Sequence, residues 1–163
     1  MERDSYRLIS KDMAEETVIT ADMRRSIGAE ASPVVIEIER GAVRKFAEAV
    51  GDANPLWRDE EYARNTRYGG IIAPPSFLCT AGVGFTGRIE IELPLKRLLV
   101  VADELEFCQP IRVGEVITCN QRLVDLQERE GKKGKQVFVV YENVFTNQKG
   151  EMVARGRATY LRY

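Results

Sequence analysis

The stretch VGDANPLWRDEEYARNTRYGGIIAPPSFL, residues 50–78, holds the side chains best suited to chemistry in this chain. Its central carboxylate is Asp52, set in Gly51-Asp52-Ala53-Asn54-Pro55-Leu56-Trp57, and Asn54, Trp57, Tyr68 and the Gly69-Gly70 pair follow. A carboxylate there can act as a general acid or base, an amide can orient a substrate or a water, and paired glycines let a ligand approach the backbone closely. Each residue also has a plainer use. An Asp after a helix and before Asn-Pro serves as a turn or capping residue, Asn before Pro starts turns, Gly-Gly makes a tight turn, and an indole packs as a partly buried aromatic. Histidine is absent from the whole chain. That removes the commonest general base and the commonest metal ligand together, so chemistry carried by this chain alone falls to carboxylates, Cys, Tyr, Lys or backbone groups.

The bulk properties narrow the setting. A chain of 163 residues is the size of one domain with one core. With 44% hydrophobic and 30% charged residues and a formal net charge of −1, it has no electrostatic bias toward nucleic acid or acidic membrane. No apolar run approaches the ~20 residues a bilayer span needs, and MERDSYRLISKDMAEE is too charged for a signal peptide, so a cytoplasmic location is expected. Cys79, Cys108 and Cys119 are odd in number, widely spaced and flanked by apolar residues, which predicts reduced core thiols rather than a disulfide framework or a zinc site. No metal or redox cofactor is suggested.

The elements that must position the stretch can be read from periodicity. Residues 1–32 form a polar arm with one helical segment, TADMRRSIGAEA, which Thr20 can cap and Gly28 can end. PVVIEIE alternates as a half-buried strand does, and GAVRKFAEAVGD places Val43, Phe46, Ala47 and Val50 at helical spacing before Gly51 stops it. A second helix is predicted over 60–66, and SFLCTAGVGF, residues 76–85, is apolar on nearly all sides, as a helix buried by a wrapping sheet would be. RLLVVADELEF, GEVITCNQRLVDLQ, KQVFVVYENVFTN and EMVARGRATYLRY supply that sheet as an antiparallel meander with turns at EREGKKGK and NQKG. Polar positions such as Glu142 and Arg155 make one face wet. The predicted class is α+β, a curved antiparallel sheet wrapped around a central buried helix, in a single domain over 33–163.

With these residues in place, the chain resembles the MaoC-like hydratases and dehydratases of acyl thioesters, which have the hotdog fold. Catalytic members carry Gly-Asp-x-Asn-Pro-x-His and, further on, Phe/Tyr-Gly-x-x-Ile-Ala-His-Gly. Here the first reads Gly51-Asp52-Ala53-Asn54-Pro55-Leu56-Trp57 and the second Tyr68-Gly69-Gly70-Ile71-Ile72-Ala73-Pro74-Pro75. The catalytic histidine position is therefore Trp57, and the His-Gly pair is Pro74-Pro75. Hydrating an enoyl thioester takes a base for water, an acid for the α carbon and a donor for the enolate oxygen. Trp57 cannot relay the proton, and Pro75 has no amide hydrogen to polarise a carbonyl. Losing such a donor costs about 10²–10³ in rate and losing the base a further 10²–10⁴ or so. Ser76 is the first residue past the prolines that offers a carbonyl both an amide and a hydroxyl.

Ala-Pro-Pro-Ser-Phe in place of Ala-His-Gly is similar to the non-catalytic half of double-hotdog dehydratases, or to the small subunit that pairs with a catalytic MaoC-like chain. The resemblance implies a subunit that helps form the acyl pocket of an (R)-specific enoyl-CoA hydratase or 3-hydroxyacyl dehydratase, as a heterodimer or heterotetramer. The expected ligand is an acyl-CoA or acyl-carrier-protein thioester, the candidate acid is Asp52, and the pocket residues are Asn54, Trp57, Tyr68, Gly69, Gly70, Ile72, Ala73, Pro74 and Ser76. Arg58, Arg64 and Arg67 can meet the phosphates of such a ligand, or form a solvated helix face with Asp59, Glu60 and Glu61. Two alternatives remain: a homodimer that binds acyl-CoA without catalysis, and a histidine-independent thioesterase using Asp52 or Glu60.

Overall fold

The computed structural model describes residues 17–80, 89, 91–132 and 134–163. The alternating segments become five strands, β1 (Val34–Glu37), β2 (Leu98–Phe107), β3 (Val116–Gly131), β4 (Gly134–Thr146) and β5 (Met152–Arg162). All pairings are antiparallel, in the order β1-β3-β4-β5-β2. The meander expected of the last four strands holds for β3, β4 and β5 only, because β2 returns to pair with β5 at the opposite edge from β1. The connection between β2 and β3 sets this order. Ile111 and Val113 hydrogen bond to Ala73 and Ile71, and Gly114 to Ile38, so the chain crosses the fold before β3 begins beside β1. Across EREGKKGK, read as a turn, the ladder instead continues through Glu130 paired with Lys135 and Gly131 paired with Gly134. Lys135 holds the charged stretch in the ladder by bridging Glu128 at 3.0 Å and Glu130 at 2.9 Å.

Period-two burial sends Ile117, Cys119, Leu123, Val137, Val139, Tyr141, Phe145 and Tyr160 inward. Gln121 and Asn143 share that face as a register pair, and the Gln121 side-chain amide donates to Asn143 Oδ1 at 3.0 Å. Helix α2 (Arg40–Ala49) covers the sheet with Val43 and Ala47, while Phe46 meets Phe77 edge to face at 5.5 Å. Val50, expected on that buried stripe, is instead the exposed C-cap. The helix predicted over 76–85 is a short 3-10 helix, Pro75–Thr80, and residues 81–85 lie outside the described residues. Side chains three apart eclipse in a 3-10 turn. Ser76 and Cys79 therefore share an exposed face while Phe77 and Leu78 are buried. This overturns the expectation of three core thiols: Cys79 and Cys108 are exposed, and only Cys119 is buried.

The arm is anchored on the sheet. Helix α1 (Ala21–Arg25) is capped by Thr20, whose hydroxyl accepts from the Met23 amide at 3.2 Å. Past it, the Gly28 and Ala31 amides donate to the Leu123 and Gln121 carbonyls at 2.8 and 2.9 Å, which carries pairing along the edge of β3 beyond β1. Before it, Glu128 accepts from the Thr17 hydroxyl at 2.7 Å and from the amides of Val18 and Ile19 at 2.9 and 3.3 Å. The Thr17 hydroxyl first, then Lys135, push the Glu128 carboxyl down to about 2 from the ordinary 4.5. A depressed carboxylate stabilises the fold above its unfolded value and loses that contribution as the pH falls toward its folded one. Glu128→Gln is expected to lower the urea midpoint at neutral pH. The gap to the native chain should close as pH falls from about 4.5 toward 2, read by unfolding at a series of pH values.

Candidate functional site

The Asp52 turn is built from backbone rules. Gly51, at φ +72°, ends α2 with the Asp52 amide bonded to the Ala47 carbonyl at 2.9 Å and its own amide to Glu48 at 3.2 Å. This is the paired closure that a left-handed glycine permits. It delivers Asp52 to the Asn54-Pro55 turn, where Oδ1 accepts from the Asn54 amide at 3.0 Å. Asn54 in turn caps the 3-10 helix Pro55–Trp57, accepting from the Leu56 amide at 3.1 Å. The ring of contacts closes when Trp57 Nε1–H donates to Asp52 Oδ2 at 2.8 Å.

Both oxygens of Asp52 are thus committed within the turn. The Asn54 amide and then the Trp57 indole hold its carboxyl below the ordinary range, as a stable anion. A carboxylate kept ionised and occupied is a poor proton donor and a weakened base. Trp57 is 7% exposed and belongs to the main core cluster. The turn and capping role read for Asp52 and Asn54 is what these bonds build. Helix α3 (Glu60–Arg64) follows, capped by Asp59, which accepts from the Tyr62 amide at 2.9 Å.

The second segment reaches the same neighbourhood by a different device. Ile72 bridges Arg112 in antiparallel fashion, with the Ala73 amide on Ile111 at 2.8 Å and the Val113 amide on Ile71 at 3.2 Å. This short pairing lays the segment against the β2–β3 connection and opens a cleft of about 560 Å³. Trp57, Ile72, Ala73, Pro75 and Ile111 form its apolar wall, and Arg67, Tyr68, Gln109 and Arg112 its polar rim. Four of the expected pocket residues, Trp57, Tyr68, Ile72 and Ala73, line it. Asp52, Asn54, Gly69, Gly70, Pro74 and Ser76 lie outside the lining. Pro74 is buried, whereas Pro75 and Ser76 are exposed.

Of the three arginines read as a cluster, only Arg67 lines the cleft. Arg64 pairs with Glu60 at 3.1 Å, and Arg58 donates to the Ala53 carbonyl at 2.5 Å. Arg112 and its neighbours Phe107 to Ile111 escaped sequence reasoning. The available signal was Pro110 and Gly114 punctuating QPIRVGE, an apolar connection with one embedded cation. No group of three His, Cys, Asp or Glu side chains able to hold a metal occurs among the described residues, and none of their helices is long and apolar enough to cross a membrane.

The comparisons with known proteins agree with this geometry. Residues 25–156 match the family described as the FAS1-like dehydratase domain region, and the chain belongs to that family. A UPF0336 protein of Parafrankia sp. (strain EAN1pec) is 33% identical over 134 residues, 80% of this chain and 86% of that one. Among solved structures, the (R)-hydratase from A. caviae involved in PHA biosynthesis matches with a TM-score of 0.67 at 22% identity, over 82% of this chain and 94% of that one. The HadBC (3R-hydroxyacyl-ACP dehydratase) complex from Mycobacterium tuberculosis gives 0.69 at 23% identity, over 83% and 96%. The ChsH1–ChsH2 complex from the same organism gives 0.69 at 20%, over 83% and 89%. The architecture is the hotdog fold of MaoC-like hydratases and dehydratases.

Trp57→Phe keeps the ring and removes the indole donor. The Asp52 carboxyl is expected to titrate closer to 3.8 in this variant than in the native chain, measured by carbon-detected NMR of the Asp side chains. Because the native value is lowered, the bond stabilises the fold above about pH 3.8 and fades as the pH falls through the native value. Equal Asp52 titrations in the two proteins would contradict the assignment.

Proposed function

We propose that this chain is the non-catalytic, pocket-forming subunit of a heteromeric (R)-specific enoyl-CoA hydratase or 3-hydroxyacyl-thioester dehydratase. The observation that carries the reading is the Trp57 to Asp52 hydrogen bond of 2.8 Å. Where catalytic members of the family place a histidine, this chain has an indole that donates to the carboxylate and exchanges no proton with substrate. The adjacent Pro74-Pro75 offers no amide hydrogen to a thioester oxygen. Proton transfer and enolate stabilisation are therefore assigned to a partner chain that retains the Asp/His pair, while the cleft beside Trp57 contributes apolar wall.

Strand β2, at an edge of the sheet among the described residues, supports such a partner. Leu98, Leu99, Val100, Val101 and Phe107 of edge strand β2 are all between 42% and 57% exposed. An exposed apolar edge strand is a template for pairing. Heteromeric complexes among the structural neighbours point the same way. The thioesterase alternative is weakened, since Asp52 is committed to its turn and Glu60 pairs with both Arg40 and Arg64.

The test is hydration of crotonyl-CoA and a longer enoyl-CoA, followed by loss of enoyl-thioester absorbance. The chain alone is expected to fall at least about 10²-fold below the complex formed by co-expression with a histidine-bearing MaoC-like protein. Replacing the partner's catalytic histidine should abolish the complex's activity. Full activity from this chain by itself would refute the reading.

A further inference from the structure

We propose that Arg67 and Arg112 form a phosphate-binding clamp at the rim of the Trp57 cleft. Its ligand would be the phosphate of a 4′-phosphopantetheine thioester, a group common to coenzyme A and to the prosthetic arm of an acyl carrier protein. The inference rests on the thioester reading above and adds which residues of this chain grip the polar end of that ligand.

Both guanidinium groups are anchored on one residue, Tyr68. Arg67 lies with its Cζ 4.9 Å from the centroid of the Tyr68 ring, and its Nη2–H donates to the Tyr68 hydroxyl at 2.7 Å. Arg112 donates through Nη1 to the Tyr68 carbonyl. Each keeps further N–H donors in a rigid fork, which matches the oxygens of a phosphate. Holding both on one tyrosine removes much of the side-chain entropy that a loose arginine loses on binding an anion.

The two charges are uncompensated at the cleft. Arg25, Arg40, Arg44, Arg64, Arg122 and Arg155 are each paired with a carboxylate. Among the described residues no ion pair involves Arg67 or Arg112, and the cleft they rim is lined by no carboxylate. The nearest acid in sequence, Glu115, turns its carboxylate to the Arg112 backbone amide at 2.7 Å rather than to the guanidinium. In a chain of net charge −1, two cations on the rim of one apolar trough suit a ligand with an anionic head and an apolar tail.

Trp57 is the chain's single tryptophan and lines the same cleft, so its fluorescence reports occupancy directly. The experiment titrates the full chain with decanoyl-pantetheine, decanoyl-phosphopantetheine, decanoyl-CoA and a decanoyl-loaded carrier protein, with calorimetry repeating each titration on the co-purified complex. Decanoyl-phosphopantetheine is expected to bind about 10- to 100-fold more tightly than decanoyl-pantetheine, the worth of one or two charge-assisted hydrogen bonds. The Arg67→Ala/Arg112→Ala double variant should erase that ratio. Arg67→Gln alone, which keeps the Arg112 tie to Tyr68, should reduce it in part.

The CoA and carrier-protein arms identify the source of the phosphate, and tight binding of either that depends on both arginines supports the clamp. Equal affinity with and without the phosphate, or a ratio unchanged in the folded double variant, would overturn the clamp and leave the subunit reading standing. Failure of every thioester to bind the complex would overturn both.

Discussion

The carboxylate of Asp52 accepts from two donors, the backbone of Asn54 two residues on and the indole of Trp57 five residues on, and the geometry of the whole site follows from that constraint. The bonds fix the turn that ends α2, set the 3-10 helix of Pro55–Trp57, and turn the indole inward as one wall of the cleft. The same bonds occupy both carboxylate oxygens. Each hydrogen bond stabilises the ionised form and so weakens Asp52 as a base. On the proposed reading, the loop keeps its turn geometry while proton transfer belongs to the partner chain.

The sheet tolerates a buried polar pair. Gln121 and Asn143 face each other in the core, and Gln121 Oε1 and Asn143 Nδ2 have no partner among the described residues. An unsatisfied buried polar atom costs about 1–3 kcal/mol, so the pair weakens the core relative to an apolar one. It also penalises slippage, because moving β3 by one residue against β4 would strand both amides. The register it protects carries Glu128 to the arm at one end and Ile117 to β1 at the other.

Much of this was legible in the sequence wherever a local rule governs. Thr20 capping α1, Gly51 closing α2, Asn54-Pro55 starting a turn and the long alternation of β3 to β5 are each set by residues within a few positions of one another. What escaped depends on distant contacts. Strand β2 has a sequence that suits any place in the sheet, and its position beside β5 is decided by the crossing of residues 108–115. The helical reading of 76–85 gave way at its described end to a 3-10 helix, Pro75–Thr80. Arg112 joins the site only because Ile72 bridges it from 40 positions away in the chain. Trp57 was read as a missing histidine, and its spacing to Asp52 carried no hint that the indole itself would bind the carboxylate.

The most direct measurement is kcat of the co-expressed hydratase complex with Asp52→Asn in this chain, compared with the same substitution at the catalytic Asp of the partner. Asn retains an acceptor for the turn, and a thermal melt with Trp57 fluorescence checks that the site stays folded. The prediction is a kcat within about threefold of the native complex for the change in this chain, and a fall of about 10²-fold or more for the change in the partner. A fall of that size from Asp52→Asn in a folded complex, with loss of the acidic limb of the pH–rate profile, would contradict the account and make Asp52 a catalytic base.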